Sequence, residues 1–147
     1  MTDFSLYQSP FSWRYGSPEM RLIWSEENKR RLWRRIWVAL AKVESDFGLV
    51  GAEQAIDLEE HAEEIDLARS MQVEAEIHHD LMAEVKVFAA QCLKGGGIIH
   101  LGATSMDVKD NAEVLQMRQS MDLLLGKLKG LLLCFANRVE TYADTPC

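Results

Sequence analysis

Three groups of polar residues interrupt the apolar periodicity of this 147-residue chain and carry side chains able to do chemistry: Arg14-Tyr15, His78-His79-Asp80, and Thr104-Ser105 followed by Asp107, Asp110 and Asn111. Arginine beside tyrosine offers a forked cation and a phenol, a combination that suits one phosphate. The same pair serves equally as packing. A histidine followed by aspartate can hold a proton near neutral pH while the carboxylate fixes its tautomer; the alternative is a capping aspartate beside a helix-terminal histidine. Thr104-Ser105 ahead of a long helical pattern supplies hydroxyls and free backbone N–H groups that attract anions. Ordinary N-capping uses the same atoms.

Other groupings carry less. His78 and His79 are adjacent, whereas metal ligands on a helix recur at i and i+4. Lys94-Gly95-Gly96-Gly97 lacks the Gly-Lys-Ser/Thr ending of a phosphate-binding loop. Cys92, Cys134 and Cys147 form no CxxC and leave an odd count, so they read as reduced thiols, neither a disulfide framework nor a zinc site. Lys29, Arg30, Arg31, Arg34 and Arg35 share a helix face. Such a cluster can hold phosphates, but a surface face salt-bridged to acidic neighbours is the favoured reading.

The elements that must position these residues are helical. Ser17-Pro18-Glu19-Met20 starts a short helix, with Ser17 as cap and Pro18 at the first helical position. Ser25 starts a second, whose Leu32, Trp33, Ile36, Trp37, Leu40 and Val43 recur at three and four residues up to about Phe47, where Gly48 and Gly51 stop it. A short helix is predicted over 52–60, a longer one over 65–77, and a further one capped by Asp80 and running to about Cys92. Residues 98–105 form a loop with apolar anchors. From about Asp107 to Tyr142 a helix of about 54 Å follows. Its Val114, Met117, Met121, Leu124, Leu128, Leu131 and Phe135 make a heptad seam, widened by Leu115, Leu125 and Leu132 into the stripe of a multi-helix bundle. A chain of this size is roughly 38 Å across, so the helix should protrude and its stripe should need a partner.

Composition narrows the class. Hydrophobic residues make up 48% and charged residues 27%, ordinary for a globular protein. The net charge of −7 argues against a nucleic-acid binder. It is concentrated in residues 51–84, read as a solvated face. No apolar run reaches the roughly 20 residues needed to span a bilayer. The opening MTDFSLYQSP does not resemble an export signal. A cytoplasmic location is the expectation.

Together the polar clusters match a family. Phe11-Ser12-Trp13-Arg14-Tyr15-Gly16-Ser17-Pro18-Glu19-Met20 resembles the "RY-x-SPEM" opening of adenylosuccinate lyases, and His78-His79-Asp80-Leu81-Met82-Ala83-Glu84-Val85 resembles their "HDVMAHV" helix. Gly97 to Asn111 resembles their "GIIHLGATSxxVxDN" segment. Threonine-serine before a long helix is shared across the fumarase/aspartase superfamily; the other two segments narrow the resemblance to the adenylosuccinate branch.

The resemblance implies an all-α chain: an N-terminal helical domain of that superfamily over residues 1–111, and the first long helix of a central bundle over 112–147. It implies a carbon–nitrogen lyase that removes fumarate from adenylosuccinate to give AMP and from SAICAR to give AICAR, with no cofactor or metal, acting as a homotetramer. Carried over residue by residue, Arg14 and Tyr15 would hold the nucleotide phosphate. His78, His79 and Asp80 would contact substrate, with His79 in a supporting catalytic role. Thr104 and Ser105 would bind the succinyl or fumarate carboxylate, while Asp107 and Asn111 would cap and orient the helix. His78 falls where relatives often carry arginine, and Glu84 where many carry histidine. The family's general-acid histidine ("THxQPA") and catalytic serine loop ("SSxMPxKxNP") do not occur within these residues, so the chain alone is expected to be inactive. The alternatives are a non-catalytic helical oligomerisation module and a sister enzyme such as argininosuccinate lyase.

Overall fold

Capping side chains set the helix boundaries much as the sequence predicts. In a computed structural model, which describes residues 5–146, Ser17 Oγ accepts the Met20 backbone N–H at 3.3 Å and opens α1 (Pro18–Ile23). Ser25 Oγ accepts the Asn28 N–H at 3.1 Å and opens α2 (Glu26–Asp46). After α2 the chain turns through Gly48 (φ 72°), a left-handed conformation that favours glycine. There follow α3 (Ala52–Glu60), α4 (Leu67–Ile77), α5 (Asp80–Gln91), a 3₁₀ turn at Gly96–Ile98, and α6 (Ser105–Tyr142). Met1–Phe4, where the segment read for an export signal begins, and the third thiol, Cys147, lie outside the described residues. Among the described residues there is no β-strand.

Besides shifts of two residues at the starts of α4 and α6, two boundaries differ from expectation. Phe11–Tyr15, which lies ahead of the first predicted helix, forms one π-helical turn. The cap of α5 is His79 rather than Asp80: His79 is extended (φ −147°), and its Nδ1 accepts the Met82 N–H at 3.2 Å. Asp80 is the first helical residue, so its carboxylate is free to reach sideways.

Helix α2 lies at the centre and packs against α1, α3, α4 and α6. Its Leu32, Trp33, Trp37 and Ala41 join Ala55 and Leu58 of α3, Leu81 and Phe88 of α5, and Val108 and Ala112 of α6 in one core. Burying each of the larger side chains contributes roughly 1.5–3 kcal/mol. Because α2 has neighbours on several sides, its basic face is not all surface. Lys29 and Arg31 pair with Glu26, Glu27 and Glu63 as predicted, but Arg30 and Arg34 are buried. Arg34 Nε donates to the equally buried Glu84 Oε1 at 2.7 Å, and its Nη1 donates to the carbonyls of His61 and Glu64 at 3.0 and 3.1 Å. Arg30 Nη2 donates to Glu74 Oε2 at 2.9 Å. Glu84 and Asp57 are likewise the buried exceptions in the otherwise solvated acidic stretch.

Helix α6 is 38 residues, about 57 Å, long. Its first third enters the core through Val108, Ala112 and Gln116; beyond Ser120 every described residue of the helix except Leu123 is exposed. The helix protrudes with its apolar stripe open, as its length against the domain diameter predicts.

Candidate functional site

The α4–α5 turn carries the first candidate cluster. His78 ends α4 in the left-handed region (φ 55°), with its N–H on the Glu74 carbonyl at 2.7 Å. For a residue with a Cβ that conformation costs about 1–2 kcal/mol, so the turn must be held from both sides. Glu74 is held by the buried Arg30, and Asp80 by Lys109 of α6, whose Nζ donates to Asp80 Oδ1 at 2.7 Å. Asp80 Oδ1 also accepts the Leu81 N–H at 2.7 Å. Burial pushes the Asp80 carboxyl up, but the Lys109 and Leu81 hydrogen bonds, with the Lys109 and Arg30 charges, outweigh it and hold the carboxyl below its ordinary range.

Asp80 does not orient the His79 ring, because His79 Nδ1 stands 3.8 Å from Asp80 Oδ1. The Met82 N–H does this instead. Since Nδ1 accepts that bond, the neutral ring carries its proton on Nε2, on a half-exposed side chain.

The second cluster is the head of α6. Thr104 is the N-cap, its backbone N–H donates to Asp107 Oδ2 at 2.7 Å, and Asn111 Nδ2 donates to the Asp107 carbonyl at 2.7 Å. Asp107 and Asn111 therefore brace the helix start, as expected. The Thr104 and Ser105 hydroxyls stand where the helix dipole favours an anion. The preceding loop is fixed by His100 (φ 70°), whose Nδ1 accepts the Trp37 Nε1–H at 3.2 Å.

The Lys109–Asp80 pair joins these two clusters. Arg14 and Tyr15 stand apart from them. Helix α1, which follows them, meets α6 where Trp24 Nε1 donates to Ser120 Oγ at 3.0 Å and Gln116 Nε2 to the Ile23 carbonyl at 2.8 Å. Those contacts lie about 17–22 Å along α6 from Ser105. At the start of α1, Glu19 feels the charge of Lys127, farther along still. Tyr15 is exposed, and the Arg14 guanidinium lies 4.4 Å from the Trp13 ring centroid.

Sequence reasoning missed Lys109, Arg30 and His100 as positioning groups, since partners 29 to 63 residues apart leave no periodic trace. It also missed what the glycine run does. Asp57 Oδ2 accepts the N–H groups of Lys94 and Gly95, each at 2.8 Å, so this loop cradles the chain's own carboxylate. The Gly95 bond first, then that of Lys94, outweighs burial and holds the Asp57 carboxyl low. Beneath it, burial and the Asp57 charge push the Cys92 thiol up to about 12, which makes it inert. Cys134 is an exposed free thiol. Among the described residues no cluster of three His, Cys, Asp or Glu side chains is arranged to hold a metal ion. No described helix is long and apolar enough to cross a membrane.

An all-helical domain ending in a long, protruding helix headed by threonine-serine agrees with the helical domain of the fumarase/aspartase superfamily. Within that class the likeness is to adenylosuccinate lyases. The chain is 38% identical to that of Saccharomyces cerevisiae over 150 residues, which is 99% of this chain and 31% of the relative. It is 38% identical to that of Pyrococcus abyssi (94% of this chain, 31% of the relative) and 36% to that of Schistosoma mansoni (87% and 27%). The chain thus spans about a third of the length of these relatives, and the match fits the N-terminal portion of the enzyme. No protein-family model matches the chain.

Proposed function

We propose that this chain supplies the N-terminal, substrate-facing part of a lyase that eliminates fumarate from adenylosuccinate and from SAICAR. In such a β-elimination a base takes the proton beside a carboxylate, the C–N bond breaks, and an acid protonates the leaving nitrogen. Thr104 and Ser105 bind the succinyl carboxylate with hydroxyls at the positive end of α6, where preorganised donors stabilise developing charge. His78, His79 and Asp80 contact the substrate, and the Nε2 proton of His79 is the donor offered to phosphate or to the reacting region. Arg14 and Tyr15 hold a phosphate. Their separation from the other clusters fits a site shared between copies of a homotetramer whose bundle includes the exposed α6 stripe. The principal acid and base lie elsewhere, so the chain alone is inactive. The reading carries a cytoplasmic enzyme that needs no cofactor and binds neither nucleic acid nor membrane.

The observation that carries this reading is the Lys109–Asp80 bond at 2.7 Å, which brings the His78–Asp80 turn to the head of α6. The test is a chimera in which these residues replace the matching third of the Saccharomyces cerevisiae relative. It should release fumarate from adenylosuccinate, and His79→Ala or Ser105→Ala should reduce turnover at least about a hundredfold, the usual scale for losing one preorganised catalytic contact. A folded tetrameric chimera without turnover would refute the reading.

A further inference from the structure

We infer that Lys109 is a positioning residue: its ammonium fixes Asp80, and through Asp80 the His78–His79 turn, at a set distance from Thr104–Ser105. The inference rests on the proposed lyase reading, and its starting point is geometric. Both hydrogen bonds to Asp80, from Lys109 Nζ and from the Leu81 N–H, fall on Oδ1 at 2.7 Å. That leaves Oδ2 as the oxygen for a ligand donor such as a sugar hydroxyl.

Lys109 sits on α6 five residues after Thr104, on the part of the helix anchored in the core by Val108 and Ala112. Its backbone is therefore anchored to the core. The ammonium also lies 5.9 Å from the Trp33 ring centroid, and the Arg30 guanidinium lies 4.4 Å from the same ring. Arg30 in turn holds Glu74 at the end of α4. The turn containing left-handed His78 is thus pinned at its α4 end through Arg30 and at its α5 end through Lys109, with Trp33 beside both cations. Arg30 fixes the turn to α2 alone. Lys109 is the link that relates it to the carboxylate-binding hydroxyls, and so sets the span of substrate the site accepts.

The test uses Lys109→Met, which keeps the apolar stem, and Lys109→Arg, which restores a donor of similar reach. In the chimera described above, Lys109→Met should raise KM for adenylosuccinate about tenfold, the scale of one charge-assisted hydrogen bond made in both ground and transition states, with kcat within about twofold. Lys109→Arg should recover most of the loss. A merely structural role predicts a lower melting temperature with KM unchanged. Unaltered KM in Lys109→Met beside an active parent, or equal loss in both variants, overturns the inference alone. A folded parent without turnover overturns the lyase reading as well. Should the chimera not fold, the 147-residue chain decides: the Asp80 carboxyl ¹³C titration must move to higher pH in Lys109→Met and return toward the parent in Lys109→Arg. An unmoved titration overturns the inference there too.

Discussion

Glu84→Gln isolates the buried charge at the centre of the domain. Arg34 and Glu84 are both fully buried and meet at 2.7 Å, and Arg30 Nε stands 4.0 Å from the second Glu84 oxygen. The amide keeps the volume but removes the countercharge. Arg34 then retains the His61 and Glu64 carbonyls and faces no carboxylate. Breaking a buried pair in this way costs about 3–5 kcal/mol, a large part of the 5–15 kcal/mol typical of a domain. At roughly 2–4 °C per kcal/mol for this length, the melting temperature should fall by about 6–20 °C. Urea unfolding followed by tryptophan fluorescence reads the effect directly, because Trp33 and Trp37 are each only 1% exposed. One protein concentration must be kept throughout, since self-association through α6 would shift the apparent stability. Combining Glu84→Gln with Arg34→Met should cost at least about 1 kcal/mol less than the two singles added, as expected for groups in contact. A loss below about 1 kcal/mol in Glu84→Gln with an unchanged m-value would refute the reasoning, because the pair would then not be holding α2 to α5.

Three further outcomes follow from the geometry. In Gly95→Ala the new Cβ would lie 2.5 Å from the Gln54 carbonyl oxygen and 2.9 Å from Leu58 Cδ2; stability should drop by about 1–3 kcal/mol in thermal melts, while Gly97→Ala, with open space around it, should lose far less. The Asp57 carboxyl is held below its ordinary value of 3.8, so its contribution is complete above that pH and is lost as the pH falls through the lower folded value. Acid titration of stability should show this loss, and Asp57→Asn should flatten that part of the curve. Leu124, Leu128 and Leu131 are each more than half exposed; changing all three to Lys should shift sedimentation from an associated species toward monomer, and an unchanged distribution would count against α6 as the contact face.

Most of the helical framework was legible because local chemistry determines it. Ser17 and Ser25 cap what they were predicted to cap, α3 spans the predicted 52–60, and the heptad seam of α6 reads directly as an exposed stripe. A residue's class does not decide its environment. Arg30 and Arg34 looked like surface cations beside Arg31, yet a central helix has neighbours on nearly every side and buries them against carboxylates from α4 and α5. Asp80 looked like a cap, but an extended His79 reaches the third helical N–H first and leaves the carboxylate to Lys109.

The same division runs through the candidate site. The residue types at 14–15, 78–80 and 104–105, and the family they resemble, could be read from order and spacing alone, because a motif is a one-dimensional object. The sequence by itself also determined that the last helix outruns its own domain, since helix rise and domain diameter are both set by length. Only the tertiary structure decided which clusters meet. Lys109 and Asp80 are 29 residues apart and share no pattern; they pair because packing α5 and α6 around the same tryptophan-rich helix leaves one carboxylate and one ammonium facing each other. The separation of Arg14 and Tyr15 from that pair has the same origin: α1 docks farther along α6, where Gln116 and Ser120 present the hydrogen-bond partners it needs.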